Sequence, residues 1–120
     1  MDSMESIVYV SSDEYGRITL PPELARKYSG QNLYALKPDP EYRQIILLTE
    51  ERFWDMRRKV QAALSERDWQ KYQRSTMRDV EQTQVDGAFL FVPGLAEAEP
   101  QDRLLEVWDE GSRLFIRWSL

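Results

Sequence analysis

The alternation of apolar and polar residues divides the chain into two strand-rich segments separated by a helical one. Apolar residues at every second position predict half-buried strands, and glycine and proline mark the turns between them. The strands predicted in the first segment are 7–10, 17–20, 32–37 and 44–48, with a short helix over 23–28. Those predicted in the last segment are 82–85, 88–92, 103–108 and 114–118, with a short helix over 94–97. Both segments follow the same order of turn, strand, proline, short helix and hairpin, which predicts an internal repeat.

The middle of the chain has the spacing of two amphipathic helices. Thr49 is predicted to cap a first helix that ends near Leu64. Ser65, followed three residues later by Asp68, is predicted to cap a second. The apolar stripes comprise Phe53, Met56, Val60 and Leu64 in the first helix, and Trp69, Tyr72, Thr76 and Val80 in the second. Such stripes indicate packing against the core or against another subunit.

One turn in the first segment carries a candidate functional side chain. The turn over 13–16 begins with Asp13, whose carboxylate can bond the backbone two residues on, and ends with Gly16, which can adopt positive φ. Arg17 follows at the root of the loop. In the strand over 17–20 it shares one face with Thr19, whereas Ile18 occupies the other. A plain hairpin with a surface arginine is the alternative interpretation.

The run DEYGRITLPPEL, residues 13–24, resembles the signature of AbrB/SpoVT-type DNA-binding domains, and the two-segment layout is similar to the MraZ branch. This resemblance implies an α+β, mainly β fold. Two SpoVT/AbrB-like units would form one swapped-hairpin-type β-barrel by intrachain pseudo-two-fold symmetry, with two helices between them. The first unit would span 1–51, the helical connector 52–80 and the second unit 81–120. The second unit departs from the signature, because Ala88 or Phe89 stands where the arginine is expected.

A regulator of transcription is the function that this resemblance implies. It would bind double-stranded DNA at promoter repeats near division and cell-wall genes, in the cytoplasm at the nucleoid. It would assemble as a homo-oligomer, expected to be a ring, whose repeated Arg17 loops raise affinity. The predicted DNA-binding residues are Arg17, Arg26, Lys27 and Thr19. The predicted loop-shaping residues are Asp13, Gly16, Pro21 and Pro22.

Composition limits the other functions that the chain could have. Cysteine and histidine are absent, so neither a thiolate metal site nor a histidine-dependent catalytic triad can form. We therefore expect no enzyme, no catalytic, cofactor-binding or metal-binding residue, and no small-molecule substrate. No apolar run approaches the length of a membrane span.

Charge keeps a second class of function open. The net charge of −5 is unfavourable for binding nucleic acid. The basic residues concentrate between 52 and 78, and the acidic residues between 79 and 110. The alternative is therefore a barrel-type assembly or protein-interaction module that has lost most DNA binding. An antitoxin of the AbrB type fits less well, because such proteins usually have one unit and a disordered tail.

Two further expectations concern aromatic residues. Phe89 is expected to pack inside the barrel. The second expectation is that large apolar residues exceed what so small a barrel can cover, so that part of them lies at a subunit interface. These residues are Phe53, Trp69, Tyr72, Trp108 and Trp118.

Overall fold

Eight antiparallel strands form one sheet that curls into a nearly closed barrel. The computed structural model describes residues 7–36, 44–75, 80–95 and 104–118. The strands are β1 (Val8–Ser11), β2 (Arg17–Thr19), β3 (Asn32–Leu36), β4 (Gln44–Thr49), β5 (Glu81–Asp86), β6 (Phe89–Phe91), β7 (Leu104–Asp109) and β8 (Arg113–Trp118). The helices are α1 (Pro22–Tyr28), α2 (Glu50–Ala63) and α3 (Glu66–Ser75). The predicted α+β, mainly β class is confirmed.

Strands from the two ends of the chain are interleaved in the sheet. The order is β1-β7-β8-β4-β3-β5-β6-β2, and a bridge between Ser12 and Ile18 brings β1 back to β2. The inward residues of all these strands belong to one core, and Leu33, Leu90 and Ile116 are fully buried in it. The two strand-rich segments therefore share one hydrophobic interior instead of forming one each.

Helix α2 covers the outer faces of β3 and β4. The ring of Phe53 stacks on that of Tyr34 with centroids 4.3 Å apart, and Leu48 packs in the same cluster. In β4, Ile45 and Leu47 point into the barrel and Leu48 lies under the helix. This explains the continuous apolar run in β4, whose two faces are both covered.

The helix caps agree with the sequence, but the last residue of the apolar stripe predicted for the second helix lies outside that helix. The hydroxyl of Thr49 accepts from the backbone amide of Arg52 at 3.3 Å, and that of Ser65 accepts from Asp68 at 3.1 Å. Among the described residues helix α3 covers Glu66–Ser75, and Val80 lies outside the helix and packs in the α2 cluster. The predicted Thr76 of the stripe lies outside the described residues.

The short helix predicted after the second strand-ending proline is not present in the described residues. Residues 93–95 form a turn in place of the predicted helix over 94–97, since Gly94 has a φ of +83° that ends any helical run. Residues 96 and 97, the end of the predicted helix, lie outside the described residues. Within the part of the chain that is described, no helix combines the length and apolar character needed to cross a membrane.

The expectation about surplus aromatic surface is wrong for three of its five residues. Phe53, Trp69 and Trp118 are only 4%, 4% and 7% exposed within a single chain. Phe53 is covered by the barrel wall, Trp118 belongs to the barrel core, and Trp69 packs beside Arg57 of α2. The other two residues, Tyr72 and Trp108, are half-buried.

Candidate nucleic-acid interface

The turn before β2 is held together by the carboxylate of Asp13. Its Oδ1 accepts from the backbone amides of Tyr15 and Arg17, each at 2.9 Å. The amide of Gly16 donates to the Asp13 carbonyl at 3.2 Å, and Gly16 has a φ of +84°. The backbone hydrogen bond from Arg17 is the main cause that lowers the pKa of Asp13, and the arginine side chain adds to it. Asp13 and Gly16 therefore shape this turn as the sequence predicts.

Asp13 also fixes the side chain of Arg17. Arg17 Nε donates to Asp13 Oδ2 at 2.8 Å. The guanidinium carbon lies 5.6 Å from the ring centroid of Tyr15 and 5.7 Å from that of Phe89. The side chain remains 51% exposed, and its terminal nitrogens donate to no residue that the structure describes. The arrangement presents a planar donor fork in one orientation.

Strands β2 and β6 form a two-stranded ribbon around this arginine. Arg17 lies opposite Phe91, and Thr19 lies opposite Phe89. All four point outward, because the central pair, Ile18 and Leu90, points into the barrel. The outer face of β2 and β6, called here the ribbon face, therefore carries Arg17, Thr19, Phe89 and Phe91.

The expectation that Phe89 packs inside the barrel is wrong. Phe89 is 51% exposed and Phe91 47%, whereas Leu90 between them is fully buried. Alternation along a strand allows only one of these faces to point inward. The sequence did indicate this orientation. Leu90 and Val92 are apolar residues two positions apart and so share one face, as Ile18 and Leu20 do in the first segment. All four of these inward residues belong to the barrel core.

Two prolines end the ribbon and start helix α1. Pro21 precedes the helix, and its carbonyl accepts from the Ala25 amide at 2.9 Å. Pro22 is the first residue of α1, where its missing amide hydrogen costs nothing. The predicted strand–proline–helix corner is confirmed.

The two cations predicted in α1 differ in their surroundings. Both Arg26 and Lys27 lie in the last turn of the helix. Lys27 forms an ion pair with Asp109, which also accepts from the hydroxyl of the buried Tyr28. Arg26 is exposed and forms no ion pair with any residue in the described ranges. Within the described part of the chain, Arg26 is therefore the one of the two cations without a competing carboxylate.

Carboxylates outnumber cations around the ribbon. Asp13 and Glu14 lie in the turn, and Asp86 pairs with Phe89 at the end of β5. Arg17 is the cation of the ribbon face, and it is already paired with Asp13. If nucleic acid binds at this face, the geometry of the arginine must contribute more to binding than bulk positive charge does.

Comparison with models of known protein families gives no match, and comparison with curated protein sequences gives none either.

Proposed function

We propose that the chain is a sequence-specific DNA-binding regulator of transcription of the MraZ type, which acts through the Arg17 loop. The observation that carries this proposal is the guanidinium of Arg17, held by Asp13 while its terminal nitrogens remain exposed. Arginine in such a geometry can donate two parallel hydrogen bonds to a guanine edge in the major groove. Because Asp13 already restricts the side chain, less conformational entropy is lost on binding.

The proposal includes two SpoVT/AbrB-like units, over 1–51 and 81–120, related by a pseudo-two-fold axis and joined by the connector 52–80. The strand order supports this symmetry. If each of β1, β2, β3 and β4 is exchanged with β5, β6, β7 and β8 respectively, the cyclic order of strands around the barrel stays the same. Reciprocal bonds support it too: Leu20 N donates to Ala88 O at 2.8 Å, and Val92 N donates to Gly16 O at 2.9 Å. In this relation Phe89 corresponds to Arg17, so each chain would contribute one arginine loop.

A single arginine loop needs repetition to give useful affinity. We propose that a homo-oligomer, in the form of a ring, displays several copies to double-stranded promoter repeats of division and cell-wall genes at the nucleoid. Each Arg17 contact discriminates by about 1–3 kcal/mol, and linked contacts multiply. Thr19, Arg26 and Lys27 are proposed to contact the DNA backbone, which fixes the register of the loop without reading sequence.

The composition of the ribbon face favours one alternative, a barrel-type assembly or protein-interaction module. Phe89 and Phe91 expose about half of their surface beside Arg17, and Asp13 and Glu14 make the adjoining turn acidic. An aromatic and acidic surface of this kind suits a protein partner better than a phosphate backbone.

The deciding experiment is a binding titration with two duplexes, the DNA upstream of the chain's own gene and a scrambled version of it, across a salt series. Arg17→Ala should weaken binding to the first duplex by about 5- to 150-fold for each arginine loop that contacts a guanine, and the losses multiply when several chains of one oligomer bind together. Arg17→Lys should retain salt-sensitive binding to both duplexes and lose most of the preference.

Arg67→Ala is the matched control, because Arg67 is an exposed cation on α3 and is not part of the ribbon face. Its affinity and preference should equal those of the parent chain. Circular dichroism and sedimentation must show an unchanged fold and oligomer size for each variant. If Arg17→Ala binds the promoter duplex as tightly as the parent does, the DNA-binding proposal is wrong and the interaction module replaces it.

A further inference from the structure

A groove lies between α2 and the outer faces of β3, β4 and β8, and it takes no part in the ribbon face. Its volume is about 300 Å³, at the lower end of the range for small-molecule sites. The floor is apolar and consists of Leu36, Ile46, Leu48, Met56 and Val60. Such a floor can accept an aliphatic chain and remove it from water.

Cations outnumber carboxylates along the edge of this groove. Arg52, Lys59 and Arg113 line it together with Asp55. Lys59 Nζ lies 3.0 Å from Asp55 Oδ2, and this hydrogen bond lowers the pKa of Asp55. The carboxylate therefore stays charged and offsets Lys59. The charge of Arg52 makes a smaller contribution to this lowering, but Arg52 is exposed and forms no ion pair with a described residue.

Arg113 is the second available cation, because its existing contacts leave part of the guanidinium unused. Its Nη2 lies 3.4 Å from Glu110 Oε1, a distance that is long for a charged hydrogen bond. Its Nε is buried and has no hydrogen-bond partner among the described residues. The Arg113 side chain as a whole is 38% exposed and lines the groove, so part of it can be reached by a ligand there.

We propose that this groove binds a free, medium-chain carboxylic acid, with the aliphatic chain on the apolar floor and the carboxylate between Arg52 and Arg113. Arginine suits this role because its planar fork matches a carboxylate. A volume of about 300 Å³ is at the lower end of the range for small-molecule sites. This size suits a medium-chain acid such as octanoate better than the two long chains of a bilayer lipid. The site is independent of the proposed DNA binding.

Octanoate is the probe, titrated into the full chain by isothermal calorimetry. We expect saturable binding of one octanoate per chain, with a dissociation constant below about 1 mM. Octanol lacks the carboxylate and butyrate lacks most of the chain, so each should bind at least tenfold more weakly. Equal affinity for octanol and octanoate, or binding that does not saturate, would show that the groove has no acid-binding role.

Variants locate the site. Arg52→Gln and Arg113→Gln should each weaken octanoate binding about tenfold, and Val60→Glu should abolish it by placing a carboxylate on the floor. Lys71→Gln, which removes an exposed cation from α3, is the matched control and should bind like the parent. If the Arg113→Gln variant fails to fold, the affinity of the Arg52→Gln variant decides the test, because Arg52 is exposed and its substitution leaves the core intact. If the Arg52→Gln variant binds octanoate with the same affinity as the Lys71→Gln variant, the proposal is wrong. It is also wrong if an acidic peptide binds the groove and octanoate does not.

Discussion

The substitution Tyr28→Phe tests how α1 is attached to the far end of the chain. Tyr28 is fully buried, and its hydroxyl donates to the carboxylate of Asp109 and lies 3.1 Å from the carbonyl of Gly111. Phenylalanine fills the same space, so only the hydrogen bonding is lost. A hydrogen bond to a charged group contributes about 1.5–3 kcal/mol. In this variant Asp109 keeps its ion pair with Lys27 and is partly exposed, so its carboxylate is not left buried without a partner. We expect a loss of about 1.5–3 kcal/mol in the free energy of unfolding.

Urea unfolding measures this loss directly. The midpoint should fall while the slope against urea stays the same, because the surface exposed on unfolding does not change. Lys27→Met is the control: it removes an ion pair whose lysine is 43% exposed, and should cost less than about 1 kcal/mol. A double-mutant cycle with Asp109→Asn isolates the hydroxyl–carboxylate coupling. If Tyr28→Phe costs no more than Lys27→Met, Tyr28 does not anchor α1 and the energetic argument is wrong.

Three other predictions concern pH and register. Burial, and then the bond to Asp109, raise the pKa of Tyr28 above the usual value of about 10. The stability difference between the parent and Tyr28→Phe should thus be complete below pH 10 and shrink above it; urea midpoints that keep a constant gap up to pH 11 would contradict this. Leu90→Ala should cost about 2–5 kcal/mol and Phe89→Ser less than about 1 kcal/mol, because one side chain faces the core and the other faces solvent. Equal shifts in thermal unfolding would refute the register. The pKa of Asp13 is lowered, so its bonds to the loop should persist above the usual value of 3.8 and break as pH falls below it. The NMR shift of the Arg17 amide should follow this transition in the parent chain and not in Asp13→Asn.

Local chemistry allowed most elements to be predicted from sequence. Alternation placed Ile18 inside and Arg17 outside, because successive side chains of a strand point to opposite faces. Pro22 marked the first residue of α1, and Thr49 marked the cap of α2, since both effects depend on residues within one turn. The turn around Asp13 was predictable for the same reason.

Pairings between distant residues were not predictable in this way. Lys27 was expected to be a candidate DNA contact, yet it forms an ion pair with Asp109, the last residue of β7, which lies 82 residues away in the sequence. Phe89 was assigned to the interior because aromatic residues are usually buried, although alternation with Leu90 indicated the opposite. The groove beside α2 could not be predicted, because it exists only where β3, β4 and β8 come together under the helix.

The interleaved strand order also has a consequence for how the chain folds during synthesis. Val8 pairs with Val107, and ribosomes add roughly 5–20 residues per second, so β1 waits roughly 5–20 s for its partner. The β3–β4 hairpin and α2 are close in sequence and can form earlier, since local contacts need little loop closure. Until β5–β8 emerge, the nascent chain carries unpaired strand edges, which are open to wrong pairing. Folding of this barrel is therefore expected to be completed by its last strands.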